Sequence, residues 1–154
     1  MKVLVFDPEL CDGCRVCEEV CSQTLFKEVD HQKSALCILD VEGQPGRYQA
    51  NVCVQCGECI DICPALAIRR DRRGVVRIDK NLCVGCLSCV GFCPYLAMRV
   101  HPDYVVPFKC VSCGACAKQC PTGALSVQDL PDAELTVTEK RMKVMASPQA
   151  EVVA

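Results

Sequence analysis

The chain has no tryptophan, and only four phenylalanines and three tyrosines among its 154 residues. So few large rings leave a thin organic core. It contains no run of about 18 apolar residues, which excludes a membrane-spanning helix. The opening MKVLVFDPELC lacks a long apolar stretch and a small-residue cleavage site, so no secretory leader is expected. The pair Arg69–Arg70 is internal and is not a twin-arginine export signal. A reducing cytoplasm is the expected location. Phosphate-cradling and dinucleotide-binding glycine patterns are absent. Histidines are limited to His31 and His101, and Ser22, Ser88 and Ser112 have no histidine near them in sequence. No nucleophile–base–orienter set is visible, so the chain does not read as a catalyst. A net charge of −2 without stacking aromatics excludes a nucleic-acid binder.

What the chain has instead is 17 cysteines. They inflate the hydrophobic fraction of 51%; without them the apolar share is roughly 40%, below the usual level. In a reducing compartment such density points to metal binding rather than to a disulfide scaffold. Sixteen of the 17 fall into four runs: CDGCRVCEEVCS from Cys11, CVQCGECIDICP from Cys53, CVGCLSCVGFCP from Cys83 and CVSCGACAKQCP from Cys110. Each run is C-x2-C-x2-C-x3-C, an internal repeat of one supersecondary unit. Three thiolates so spaced wrap one face of an iron–sulfide cube, and the fourth points to the cube of a paired run. Sixteen ligands suffice for four [4Fe–4S] clusters. Structural zinc is the alternative, but it favours two C-x2-C knuckles separated by a longer loop. Metal loading would be part of folding.

One glycine sits beside the second cysteine of every run: Gly13, Gly57, Gly85 and Gly114. Glycine permits the backbone angles and close approach that a loop around a cluster needs. Three runs end in proline and the first ends in Ser22. The serine regains an N–H and adds a hydroxyl, either of which could donate to cluster sulfur, with a merely tolerated turn residue as the alternative.

Between the runs, apolar alternation and turn residues predict short hairpins. Strands are expected around Ala67–Arg70 and Val75–Asp79, within Ala35–Cys53, and in a third pair around Pro102. MKVLVF and ALSVQDL read as strands, and short helices are expected after each fourth cysteine or between run and strand. The fold class is α+β. Cys37 reads as a buried apolar residue in ALCIL, and both histidines read as loop or surface groups. Residues 69 to 80 carry a net charge of +4 and residues 1 to 30 one of −4. The basic segment is expected to be a solvated hairpin face, with partner docking or cluster-charge compensation as alternatives. In the tail, Pro131 and Asp132 could start a short helix supported by a Glu139–Lys143 pair, with an apolar stripe of Leu135, Met142 and Met145. The poor helix formers Thr136, Val137 and Thr138 argue instead for an extended segment or docking arm.

The four runs resemble the bacterial dicluster ferredoxin family. With four of them, the chain looks like the four-cluster electron-transfer subunits of larger oxidoreductases: formate dehydrogenases, hydrogenases, carbon monoxide dehydrogenases and tungsten aldehyde oxidoreductases. The stretch CDGCRVCEEVCSQTLFKEVDHQKSALCI is most similar to small subunits paired with tungsten aldehyde oxidoreductases or related anaerobic enzymes. The resemblance implies tandem, nested dicluster modules over residues 1–130. A central module of about 50–100 lies within an outer one of about 1–49 and 101–130, followed by a cysteine-free tail, 131–154. It implies four ligand sets: Cys11, Cys14, Cys17 and Cys120; Cys110, Cys113, Cys116 and Cys21; Cys53, Cys56, Cys59 and Cys93; Cys83, Cys86, Cys89 and Cys63. Sequential pairing of the runs uses the same sixteen ligands and stays open. The implied partners are a catalytic tungsten or molybdenum subunit and a flavin or ferredoxin subunit, with room for higher-order assembly. A free polyferredoxin shuttle and a structural zinc module are the competing functions.

Overall fold

The computed structural model describes residues 1–134 and 136–146. Its described elements alternate short strands and short helices. They are β1 (Lys2–Phe6), α1 (Val16–Phe26), β2 (Leu36–Asp40), β3 (Tyr48–Val52), α2 (Glu58–Ile62), β4 (Ile68–Arg70), β5 (Val76–Ile78), α3 (Ser88–Gly91), β6 (Arg99–His101), β7 (Tyr104–Phe108), α4 (Ala115–Gln119), β8 (Leu125–Asp129) and α5 (Val137–Ala146). The described strands form antiparallel pairs. Three are local hairpins, β2–β3, β4–β5 and β6–β7, each where β-branched alternation flanks a turn. The last has a register irregularity between Arg99 and His101, next to Pro102, which has no N–H to donate to the ladder.

The remaining pair joins the two ends of the cysteine-bearing region. β1 pairs with β8 from Lys2↔Asp129 to Phe6↔Leu125. Leu4 and Leu125 thereby enter one apolar core with Leu36, Ile38, Cys17, Cys21, Cys110 and Cys116. A second core gathers Ile60, Ile68, Val76, Cys89 and Met98. The aromatics are used economically. Phe26 at the end of α1 stacks on Tyr104 at 4.5 Å and meets Phe108 edge-on at 4.9 Å, joining α1 to β7.

The helices depart from expectation. They do not follow the fourth cysteine of a run; they contain the third. Cys17, Cys59, Cys89 and Cys116 lie in α1, α2, α3 and α4. The cause is local: the residue before each of these helices has a left-handed backbone, which turns the loop directly into the helix.

The tail also differs. Thr136 and Glu139 form a reciprocal capping box: the Glu139 N–H donates to Thr136 Oγ1 at 3.3 Å and the Thr136 N–H donates to Glu139 Oε2 at 2.9 Å. This cap satisfies N–H groups that a helix start leaves orphaned, and α5 forms despite the β-branched residues beside it. The Asp61 carboxylate on α2 accepts from the Thr138 N–H at 2.7 Å and the Val137 N–H at 3.2 Å, so α5 docks against α2. Glu139 uses both oxygens on Thr136 and Arg70. Of the expected apolar stripe, Leu135 lies outside the described residues.

Arg70 corrects the picture of a wholly solvated basic hairpin. It is nearly buried and bonds Glu139 Oε1 at 2.8 Å and the carbonyls of Gln55, Gly74 and Cys56 at 2.8, 3.0 and 3.1 Å. Arg77, by contrast, sits on the hairpin surface against Asp71 at 2.8 Å. Cys37 is only half-buried, because the alternation of β2 gives the core to Leu36 and Ile38. His31 is partly exposed but lies 2.7 Å from the buried Glu18, which also accepts the Ile38 N–H at 2.6 Å. His101 is largely buried near Asp30 and Asp103.

Candidate metal centres

In all four runs the residues on both sides of the second cysteine have left-handed backbone. Before it these are Gly13, Gln55, Gly85 and Ser112; after it, Arg15, Gly57, Leu87 and Gly114. The sequence marks only one flank of each with glycine. Two left-handed turns around one residue curl each loop so that its first three thiols face inward. At Gly13 the absence of a side chain is also a packing requirement, since a Cβ there would fall inside the Tyr48 ring.

The fourth cysteines follow two patterns. In the three proline-ended runs the chain turns at once: the N–H three residues after the cysteine, on Leu66, Leu96 or Gly123, bonds its carbonyl at 3.1 to 3.4 Å. That turn delivers the next N–H to sulfur, from Ala67 to Cys63 Sγ at 3.3 Å and from Ala97 to Cys93 Sγ at 3.4 Å. Proline suits such a turn because its φ is preset. In the first run there is no turn. α1 continues through Cys21 to Phe26, where proline at position 22 would remove a helical hydrogen bond and clash with the preceding turn. Ser22 is fully buried; its hydroxyl donates to Glu19 O at 3.0 Å and accepts the Asp30 N–H at 3.1 Å. It does not donate to sulfur. Cys21 Sγ instead accepts the Ala35 N–H at 3.3 Å.

Thiols from separate runs meet around three cavities. One is lined by Cys53, Cys56, Cys59 and Cys93, with Lys109. A second is lined by Cys21, Cys110, Cys113 and Cys116. A third is lined by Cys63, Cys83, Cys86 and Cys89. Beyond these, Cys120 lies close enough to Cys14 and Cys17 for its charge to act on both, and Cys11 packs on the same core. Sulfurs also sense one another between groups: Cys116 and Cys17, Cys110 and Cys53, Cys59 and Cys89. Among the described residues no three His, Cys, Asp or Glu side chains converge as a site for a single ion.

The thiols fit a cluster ligand chemically. Burial, then the Glu18 carboxylate, pushes Cys17 up to about 12. Burial takes Cys59 and Cys116 to about 12, and Cys89 and Cys110 to about 11. Thiols so placed stay protonated near neutrality and become thiolates when a metal replaces the proton. The N–H donors from Gln55 to Cys53 and from Ser112 to Cys110, both 3.4 Å, aim at sulfur as cluster-binding loops require. All 17 cysteines are free of disulfides.

Models of the 4Fe-4S dicluster domain match residues 52–97 and 75–121, and a 4Fe-4S binding domain model matches residues 4–22. Protein NrfC of Escherichia coli K12 is 32% identical over 155 residues, covering 88% of this chain and 69% of NrfC. The chain belongs to the 4Fe-4S dicluster ferredoxin family. Within that family, the thiosulfate reductase electron transfer subunit PhsB of Salmonella typhi is 28% identical, covering 86% of this chain and 78% of PhsB. Other curated relatives are longer, and the chain spans only 62% or 53% of their length. Among solved structures, a chain of the benzoyl-coenzyme A reductase active-site complex BamBC aligns over 94% of this chain and 88% of its own, at 21% identity and a TM-score of 0.48. No helix of the described residues is long and apolar enough to cross a membrane.

Spacing alone singles out the sixteen run cysteines as candidate ligands. The groups that sequence reasoning missed are Gln55, Arg70 and Lys109, whose partners are distant in sequence. A buried lysine immediately before Cys110 carries no local signature.

Proposed function

We propose that the chain holds four [4Fe–4S] clusters in nested pairing and serves as the electron-transfer subunit of an oxidoreductase. The observation that carries this is the lining of the three cavities, each by three cysteines of one run and the fourth of another. Cys11, Cys14 and Cys17 with Cys120 are the fourth set. Pairing of the first run with the last is further supported by the β1–β8 ladder and by the packing of α1 on α4. The two apolar cores match an outer and a central module.

When bound, such clusters supply one-electron chemistry. The chain's own residues do the rest. Cysteine sulfurs fix the sites, the left-handed loops hold them, and N–H groups on Ala35, Gln55, Ala67, Ala97 and Ser112 stabilise charge on sulfur. Neighbouring sets follow one another in a line: Cys17 and Cys116 share the first core with Cys110, Cys53 packs against that core, and Cys59 packs against the second core beside Cys89. That order suits a relay with an entrance and an exit at its two ends. At the Cys83 end, Val84, Leu87, Phe92, Leu96 and Val105 are exposed large apolar groups, a surface that favours a lasting partner over a free shuttle. The partner we assign is a catalytic tungsten or molybdenum subunit of the aldehyde-oxidoreductase kind, acting in a reducing cytoplasm. PhsB, itself an electron transfer subunit by name, supports the general role.

Anaerobic purification with iron, sulfide and zinc analysis tests the reading. About sixteen iron and sixteen sulfide per chain are expected for four cubes. About four zinc without sulfide would sink it. Co-purification with a large subunit distinguishes a fixed subunit from a shuttle.

A further inference from the structure

Among the described residues two lysines are buried, and they are treated differently. Lys33 is 4% exposed and held by two carboxylates, Glu28 at 2.6 Å and Asp103 at 2.7 Å. Lys109 is also 4% exposed, yet its hydrogen-bond partners among the described residues are neutral: Gln55 Oε1 at 2.9 Å and the Cys110 carbonyl at 3.1 Å. Gln55, fully buried, holds it in place. The glutamine Oε1 also accepts the Val76 N–H at 3.0 Å, and its Nε2 donates to Cys110 O at 2.9 Å and Ser112 Oγ at 3.2 Å. A buried ammonium without a counter-charge is expensive. What surrounds Lys109 instead is sulfur. It lines the cavity of Cys53, Cys56, Cys59 and Cys93, and it adjoins Cys110 of the next set.

We propose that Lys109, positioned by Gln55, is a fixed positive charge at the midpoint of the relay that raises the reduction potentials of the two sites flanking it. Those sites are the one held by Cys53, Cys56, Cys59 and Cys93 and the one held by Cys21, Cys110, Cys113 and Cys116. Each reduction adds one electron to a site and removes one from a neighbouring site or from an external low-potential donor; no bond forms and no proton moves. The ammonium stabilises the added electron at either inner site. Electrons therefore rest in the middle of the line rather than at its ends. Gln55 acts as the positioning residue, and the inference rests on the four-cluster reading above.

The test compares Lys109→Met and Lys109→Arg in the full chain, each loaded anaerobically and titrated with dithionite under electron paramagnetic resonance. The methionine variant leaves no orphan, since Gln55 Oε1 keeps the Val76 N–H and Cys110 O keeps Gln55 Nε2. A unit charge at an effective dielectric of about 20 and a separation of about 6–12 Å changes such an equilibrium by about ten- to a hundredfold, about 59 to 118 mV for a one-electron couple. Two of the four sites are expected to become harder to reduce by that amount in Lys109→Met, with the other two unmoved and the arginine variant restored. Full iron and sulfide with no potential moved, or with all four moved equally, overturns the proposal. Should Lys109→Met load incompletely, Gln55→Glu sets a carboxylate against the same ammonium and must shift the same two sites in the same direction; unchanged potentials there also overturn it. Wild-type chain that holds no iron and sulfide would instead remove the four-cluster reading, and this inference with it.

Discussion

Arg70 is the joint between the second cysteine run and the C-terminal helix, and replacing it with methionine should open both. The guanidinium makes four hydrogen bonds, to Glu139 and to the carbonyls of Gln55, Gly74 and Cys56. Two of those carbonyls, on Gln55 and Cys56, immediately precede the left-handed turn at Gly57, whose missing Cβ is what lets Arg70 Nη2 approach. Arg70 and Glu139 are 10% and 11% exposed, so the pair behaves as nearly buried. Removing one partner of such a pair costs about 3–5 kcal/mol, because the other charge is left stranded. That loss should be local. With the Arg70 anchor gone, α5 rests on α2 through its Asp61 bonds and loosens, and Cys56 loses its cover. Cys56 is half-buried, whereas the second cysteines of the other runs, Cys14, Cys86 and Cys113, are exposed. Chelator-driven iron release followed by visible absorbance should show one quarter of the iron leaving faster in Arg70→Met and the rest unchanged. Limited proteolysis should cut between residues 131 and 146. A double-mutant cycle with Glu139→Gln should give a coupling of about 1–3 kcal/mol. Additive effects with unaltered iron release would refute the idea that α5 shields this site.

Ser22→Pro interrupts α1 in its interior and should cost about 3 kcal/mol or more, read as a lower melting temperature with loss of iron from the sites that use Cys17 and Cys21. Gly13→Ala forces a Cβ into the Tyr48 ring, whereas Gly43→Ala meets nothing within 4 Å at a similar φ; the first should destabilise by about 1–3 kcal/mol beyond the second in matched melting curves. For the metal-free chain, thiol values raised from 9.0 to about 11 or 12 mean that folding stability is intact below pH 9 and falls as pH rises above it, because unfolded thiols ionise first. Urea titrations at pH 7 and pH 10 should show this decline, and loading with iron and sulfide at pH 7 should release protons measurable in weak buffer. Removing iron should loosen the fold, visible as weaker helical circular dichroism and a lower urea midpoint than the loaded chain, since the organic core is thin.

Much of this architecture was legible because it is local. Alternating strands with Asp71–Gly74 or Pro102–Asp103 between them announce hairpins, and four identical cysteine spacings announce their ligands. Helix positions were misjudged because their start depends on left-handed residues that sequence does not mark: Arg15 and Leu87 take that conformation without being glycine. Ser22 was misread as a sulfur donor because the absence of proline changes more than one N–H; it lets a whole helix run on. At Thr136 the T-x-x-E cap was present in the sequence, but the β-branched residues beside it suggested the opposite. Arg70 illustrates a different limit. In a run of arginines nothing local distinguishes the one that turns inward; the selection is made by Gly57 and Glu139, far along the chain.

The left-handed residues have one more consequence. Arg15, Gln55, Leu87 and Ser112 hold positive φ at about 1–2 kcal/mol each relative to ordinary backbone. In the four-cluster reading, bonds from sulfur to iron add to the hydrogen bonds that hold the loops in that conformation, and without them the loops would relax more readily toward extended forms that proteases bind. A chain that failed to acquire its inorganic contents would thus be cut sooner at its cysteine runs. Strain in each loop would then sort finished molecules from unfinished ones, with degradation as the arbiter.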